Sequence, residues 1–163
     1  KEKWAKRSLW KNSTKVPLII SGPGIPKGKT CDLPVQLLDI YPTLLELSGL
    51  ASDPIHQGNS LVPILKKGAS EWPYVARTSI GPGNYSIVSK NYRFIQYNDN
   101  TAELYDRIND PNEWYNLINN PDLSDVIEEH RNKIPNQRHE ILGDGSLGHE
   151  SYSFSEKGIL DPN

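Results

Sequence analysis

Residues 1–24 read KEKWAKRSLWKNSTKVPLIISGPG, and the order of that stretch decides how the rest of the chain is read. Trp4 and Trp10 punctuate a run of lysines. The run gives way to Val16-Pro17-Leu18-Ile19-Ile20-Ser21, whose length and branching predict a buried strand. Gly22-Pro23-Gly24 then stops it. Up to Lys29 there are eight Lys and Arg against one acid, Glu2, whereas the remainder holds ten basic and nineteen acidic residues. The net charge of −2 therefore conceals a basic head on an acidic body. The simpler reading of that head is a solvated cationic face. The other is an anion site beside the edge of a buried sheet, where partial desolvation strengthens a lysine's hold on an anion.

Working outward, 163 residues with 36% hydrophobic content suffice for a sizeable core. No apolar run approaches a membrane span and no signal peptide is visible. Asp39 to Gly49 predicts a helix, with Asp39 capping the first turn, Pro42 tolerated inside it and Gly49 in the left-handed C-terminal position. Ile40, Leu44 and Leu47 share a face that should pack on a sheet, and Leu61, Ile64 and Leu65 read the same way. The lone Cys31 can form no internal disulfide and reads as a small buried filler.

The composition shifts near Lys66-Lys67-Gly68-Ala69-Ser70, where a boundary is expected. Four strand signals follow, Tyr74 to Ser79, Tyr85 to Ser89, Tyr92 to Tyr97 and Ala102 to Tyr105. Short Gly-, Asn- and Asp-rich turns join them into an antiparallel meander. Large side chains on both faces of the third strand make it central. A helix beginning at Asn120-Pro121, with Leu123, Val126, Ile127 and Ile134 as its apolar stripe and Pro135 as its end, should cover one face. Asp110-Pro111-Asn112-Glu113 reads as a structural corner, and Trp114 after it as a packed residue. From residue 137 to 163 the chain is a polar tail; His139, Glu140, Asp144, His149 and Glu150 lack the tight spacing of a metal site. No dinucleotide fingerprint, phosphate loop or metalloprotease motif occurs, so no nucleotide or nucleic-acid partner is expected.

Several stretches together resemble the sulfatase family, in the branch that includes iduronate 2-sulfatase-like and bacterial exported sulfatases. They are Lys1-Glu2-Lys3-Trp4-Ala5-Lys6 with Ser8-Leu9-Trp10 and Lys15-Val16-Pro17-Leu18-Ile19-Ile20; Asp39-Ile40-Tyr41-Pro42-Thr43; Gly58-Asn59-Ser60-Leu61-Val62-Pro63-Ile64-Leu65; Glu103-Leu104-Tyr105-Asp106; and Asp110-Pro111-Asn112-Glu113 running to Asn116-Leu117. Each is weak alone, but in this order across about the first 120 residues they make a specific match. Lys11 departs from it, since many relatives carry Glu after the Leu-Trp pair.

The resemblance implies an α/β, alkaline-phosphatase-like fold of which this chain is the C-terminal portion. Residues 1–66 would end the catalytic domain, 67–136 would form a four-stranded antiparallel sheet with its helix, and 137–163 the tail. It implies sulfate-ester hydrolysis by the parent enzyme, with a calcium ion and a formylglycine nucleophile. Thr30-Cys31-Asp32-Leu33-Pro34 lacks the Cys/Ser-x-Pro-x-Arg order of that nucleophile, so the fragment alone is expected to be inactive. Lys6 is the one position matching a catalytic, substrate-binding lysine that reaches the sulfate. Lys1, Lys3 and Arg7 would add to the positive field, and Trp4 or Trp10 would line a pocket or join the core. The implied partners are a sulfated small molecule or carbohydrate and the missing N-terminal catalytic part; the implied location is periplasmic or secreted. A phosphatase or phosphonate hydrolase of the same superfamily, and a non-catalytic anion- or glycan-binding module, are the alternative readings.

Overall fold

Four short strands with small-residue turns between them build the centre of the molecule. They are β1 (Ala76–Ser79), β2 (Tyr85–Val88), β3 (Tyr92–Gln96) and β4 (Ala102–Asp106), all antiparallel in the order β1-β2-β3-β4. The expected meander is therefore present, with its third strand interior. The computed structural model describes residues 8–68 and 72–136, together with the backbone of two further paired strands, β5 (Tyr152–Phe154) and β6 (Leu160–Pro162). The rest of the tail lies outside the described residues.

Register divides the sheet into two faces. Ile87, Phe94 and Leu104 stand in line across β2, β3 and β4, and all three are fully buried. Leu123, Val126, Ile127 and Ile134 pack onto that row, as the helical stripe predicts. They come from a 3₁₀ turn at Pro121–Leu123, helix α4 (Ser124–Arg131) and the turns after it. The Asn120 side chain caps the start by accepting from the Asp122 N–H at 3.0 Å. Buried His130 ties α4 to the β2–β3 turn, with Nδ1 2.7 Å from Val126 O and Nε2 2.9 Å from Ser89 Oγ. Leu117 N–H donates to Leu104 O, and Asn116 Oδ1 accepts from Leu104 N–H, so the outer edge of β4 is covered rather than left open.

The other face was not given a cover by the sequence. Ser86, Ile95 and Glu103 align across it, as do Val88, Arg93 and Tyr105. Leu9 packs there against Ile95 and Tyr105, with Trp10, Ile80 and Tyr97 around them. The sheet thus carries a helix on one side and the N-terminal segment on the other.

Outside the sheet, several expectations fail for one physical reason. Residues 16–21 form no strand, and Val16 and Ile19 are 61% and 88% exposed. A strand needs a neighbour to complete its ladder, and no described strand lies beside this run. Helix α2 (Ile40–Leu47) exists, preceded by a 3₁₀ turn at Leu37–Asp39. It ends as expected on Gly49 at φ 70°, with Gly49 N–H to Glu46 O and Leu50 N–H to Leu45 O closing a Schellman motif. Its apolar face is not core, however: Leu44 is 54% exposed. Cys31 and Trp114, expected to be buried, are both exposed.

What α2 does bury is polar. Asp39 does not cap its own helix; Oδ2 accepts from Gln36 N–H and Oδ1 from Asn59 N–H, each at 2.9 Å. Thr43 Oγ1 donates to Asp39 O and accepts from Leu61 N–H at 2.8 Å. These bonds draw residues 58–61 and helix α3 (Val62–Lys67) against α2. A Cβ at Gly58 would sit 1.9 Å from Leu38 O, so only glycine permits the approach.

Candidate functional site

Lys6, the predicted catalytic and substrate-binding residue, lies outside the described residues, as do Lys1, Lys3, Trp4 and Arg7. The description begins at Ser8, and the chain from there to Thr14 shows how the segment that follows Lys6 is held.

Arg93 is the centre of that arrangement. It sits on β3 between Tyr92 and Phe94 and is 4% exposed, and a guanidinium in such a place requires partners. Its Nε pairs with Glu113 Oε1 at 2.5 Å, and its Nη1 donates to Ser86 Oγ at 2.8 Å and to Leu9 O at 3.0 Å. Burial pulls the Arg93 pKa below its ordinary value, against the charge and hydrogen bond of Glu113. Glu113 is itself buried, and its second oxygen accepts from Lys11 N–H at 2.9 Å. One ion pair therefore grips the main chain on both sides of Trp10.

The corner that delivers Glu113 is built for it. Asp106 accepts from Ile108 N–H, Asn109 N–H and Asn109 Nδ2, and Asp110 Oδ2 accepts from Tyr115 N–H at 2.8 Å. The Asp-Pro stretch is thus the structural corner the sequence suggested. Glu113 sits at φ 56°, in the left-handed region that a residue bearing a Cβ occupies only when its surroundings impose it. Lys11, the departure from the family pattern, donates from Nζ to Pro111 O at 2.6 Å on the same corner.

A second anchor stands on β4. Glu103 Oε2 accepts from Trp10 Nε1 at 2.7 Å and from Tyr105 OH at 2.8 Å, while Oε1 accepts from Tyr97 OH at 3.2 Å. Burial first, and the Glu103 carboxylate second, push both phenols well above their ordinary 10.0. Trp10 is thereby an anchored, half-buried residue of the cluster around Leu9. The short helix α1 (Lys11–Thr14) follows, its first turn closed by Thr14 Oγ1 and the Ser13 and Thr14 N–H groups on Trp10 O.

Sequence reasoning noted Arg93 only as a large side chain and Glu113 only as part of a corner. The signal was available: an arginine inside the apolar run of a central strand demands a buried acid. Among the described residues no group of three or more His, Cys, Asp or Glu could hold a metal ion. Those residues do not fit the implied calcium site, and the cysteine they include lacks the formylglycine motif.

A four-stranded antiparallel meander with a helix on one face and residues 9–11 on the other is the architecture of an alkaline-phosphatase-like C-terminal module. The chain belongs to the sulfatase family: residues 2–140 match the model for N-sulphoglucosamine sulphohydrolase, C-terminal. It is 44% identical over 132 residues to a sulfatase of Formosa agariphila, covering 81% of this chain and 26% of that protein. It is 35% identical over 140 residues to the Delta 4,5-hexuronate-2-O-sulfatase of Bacteroides thetaiotaomicron, covering 76% and 28%. A solved sulfatase candidate from the same organism superposes with a TM-score of 0.63 at 32% identity, over 77% of this chain and 30% of that one. The chain spans about a quarter of the length of the curated relatives it matches.

Proposed function

We propose that this chain is the C-terminal part of a sulfuric ester hydrolase and that Lys6 is its contribution to the reaction, donating to a sulfate oxygen of the substrate. The match of residues 2–140 to a sulfatase C-terminal family carries the reading. A lysine ammonium is a compact cation with three donors, suited to an oxyanion whose charge grows in the transition state. The formylglycine and calcium of the family would be held by residues outside this chain. A sulfated carbohydrate is the favoured substrate class, given that a relative 35% identical is named a hexuronate-2-O-sulfatase. The exposed apolar residues Val16, Ile19, Leu37, Leu38, Tyr41 and Leu44 support docking on the catalytic part of the same protein.

Lys6→Ala in the full-length protein tests the reading. Sulfate-ester kcat/KM should fall by about 10²–10³-fold, in line with the loss of one oxyanion donor. An unchanged kcat/KM would overturn the role given to Lys6. The isolated chain should not turn over an aryl sulfate, and measurable turnover by pure material would overturn the division of labour.

A further inference from the structure

We infer that the corner between β4 and α4 carries a sugar-binding ledge, with Trp114 and Tyr115 as its stacking rings, for the part of a sulfated glycan that lies beyond the ester to be cleaved. The inference rests on the reading of the substrate as a sulfated carbohydrate.

Among the described side chains from β1 onward, Ile108, Trp114 and Tyr115 are the only large apolar ones left exposed, at 64%, 72% and 69%. All three stand on the corner of residues 106–115, which is ordered without their side chains. Asp110 N–H donates to Asp106 O and Glu113 N–H to Asp110 O, each at 3.0 Å, and Tyr115 N–H closes on Asp110 Oδ2. Buried Glu113, fixed on Arg93 and on Lys11 N–H, directly precedes Trp114. The backbone is therefore set on both sides of the indole before anything binds, which lowers the entropic cost of using it as a contact.

The chemistry of the ledge selects its occupant. One face of a pyranose is a patch of C–H groups ringed by hydroxyls, and such a face stacks on an aromatic ring, whose negative π-face attracts the polarised hydrogens. Beside the rings, Asn112 and Asn116 are exposed, and Lys11 Nζ reaches the corner at Pro111 O with one of its three donors. Amides and an ammonium suit hydroxyl and sulfate oxygens. The carboxylates of the corner are already engaged: Asp106 by Ile108 and Asn109, Asp110 by Tyr115, and Glu113 by Arg93. Residues 16–55 differ, since their exposed large side chains are aliphatic except for Tyr41, as a face that packs on protein requires. Three side chains also fall short of the roughly 800 Å² per partner that a stable protein interface buries. A single sugar ring, by contrast, is matched by one indole.

The test uses the full-length enzyme and a 2-O-sulfated hexuronate, supplied free and as the end unit of a hexasaccharide, with a thermal midpoint recorded for every variant. Trp114→Ala should raise KM for the hexasaccharide about 10-fold, the scale of one lost stacking contact, and leave kcat unchanged. On the free sugar it should change neither constant by more than about 2-fold, because that sugar does not extend to the ledge. Trp114→Phe keeps a ring and should lose less than about 3-fold on the hexasaccharide. Equal losses on the two probes, or no loss on either, would overturn the ledge while leaving the sulfated carbohydrate as substrate. A Trp114→Ala protein that fails to fold, or melts several degrees lower, overturns it too, since that is the behaviour of an indole packed on the catalytic part. An enzyme that hydrolyses an aryl sulfate but neither sugar overturns the substrate class, and the ledge falls with it.

Discussion

The sheet and the stretch from residue 16 to residue 55 obey opposite rules. In the sheet, Ile87, Phe94, Ile95 and Leu104 are fully buried by partners within the same chain, one face by α4 and the other by Leu9 and Trp10. In the second region the large apolar residues face outward: Ile19 is 88% exposed, Ile55 77% and Leu37 75%. Its order comes instead from hydrogen bonds between the Asp39 and Thr43 side chains and backbone groups. Apolar patterning alone therefore did not decide burial. Whether a partner is present decided it.

The largest effect that would sharpen this contrast is expected from Phe94→Ala. Removing a fully buried ring should destabilise the isolated chain by about 3–5 kcal/mol in urea unfolding. A cost near zero would mean that the sheet is not the stable centre.

An intermediate effect is expected at high pH. Tyr97 and Tyr105 have pKa values raised above 10.0, so the folded chain retains their protons more tightly than the unfolded chain. Their contribution is complete below pH 10.0 and is lost as pH rises above it. The urea midpoint should fall above that pH, and Tyr105→Phe should reduce the slope. An unaltered slope would remove Tyr105 from the cluster on Glu103.

The smallest effect is expected from Leu44→Ala, within about 0.5 kcal/mol in the isolated chain because its side chain already faces outward. In the full-length protein the same change should cost about 2–5 kcal/mol if the catalytic part covers α2. Similar values in both contexts would break the comparison.

The sheet was legible in the sequence because its turns are coded locally and its strands are adjacent in the chain. The stripe of α4 was legible for the same reason, as was Gly49 at the end of α2. Val16 to Ile20 and Leu44 were misread because their spacing reports an apolar face but not what covers it. The Arg93–Glu113 anchor of residues 9–11 escaped for another reason. Arg93 and Glu113 are 20 residues apart, and Leu9 is 84 from Arg93, so no local pattern links the three. The charge inside a central strand was the one clue, and it indicates that a partner exists without saying which.

The separation of those partners also imposes an order on folding. Long-range contacts form after the local ones that create their surfaces, and the site for residues 8–11 does not exist until the meander and the Glu113 corner have closed. On a chain made from its N-terminus, the basic segment emerges about a hundred residues before its anchor. A product that stops short of the corner would lack the Glu113 carboxylate that neutralises Arg93 and accepts from Lys11 N–H. The seating of residues 9–11 thus reports that the chain has been made at least through the Glu113 corner.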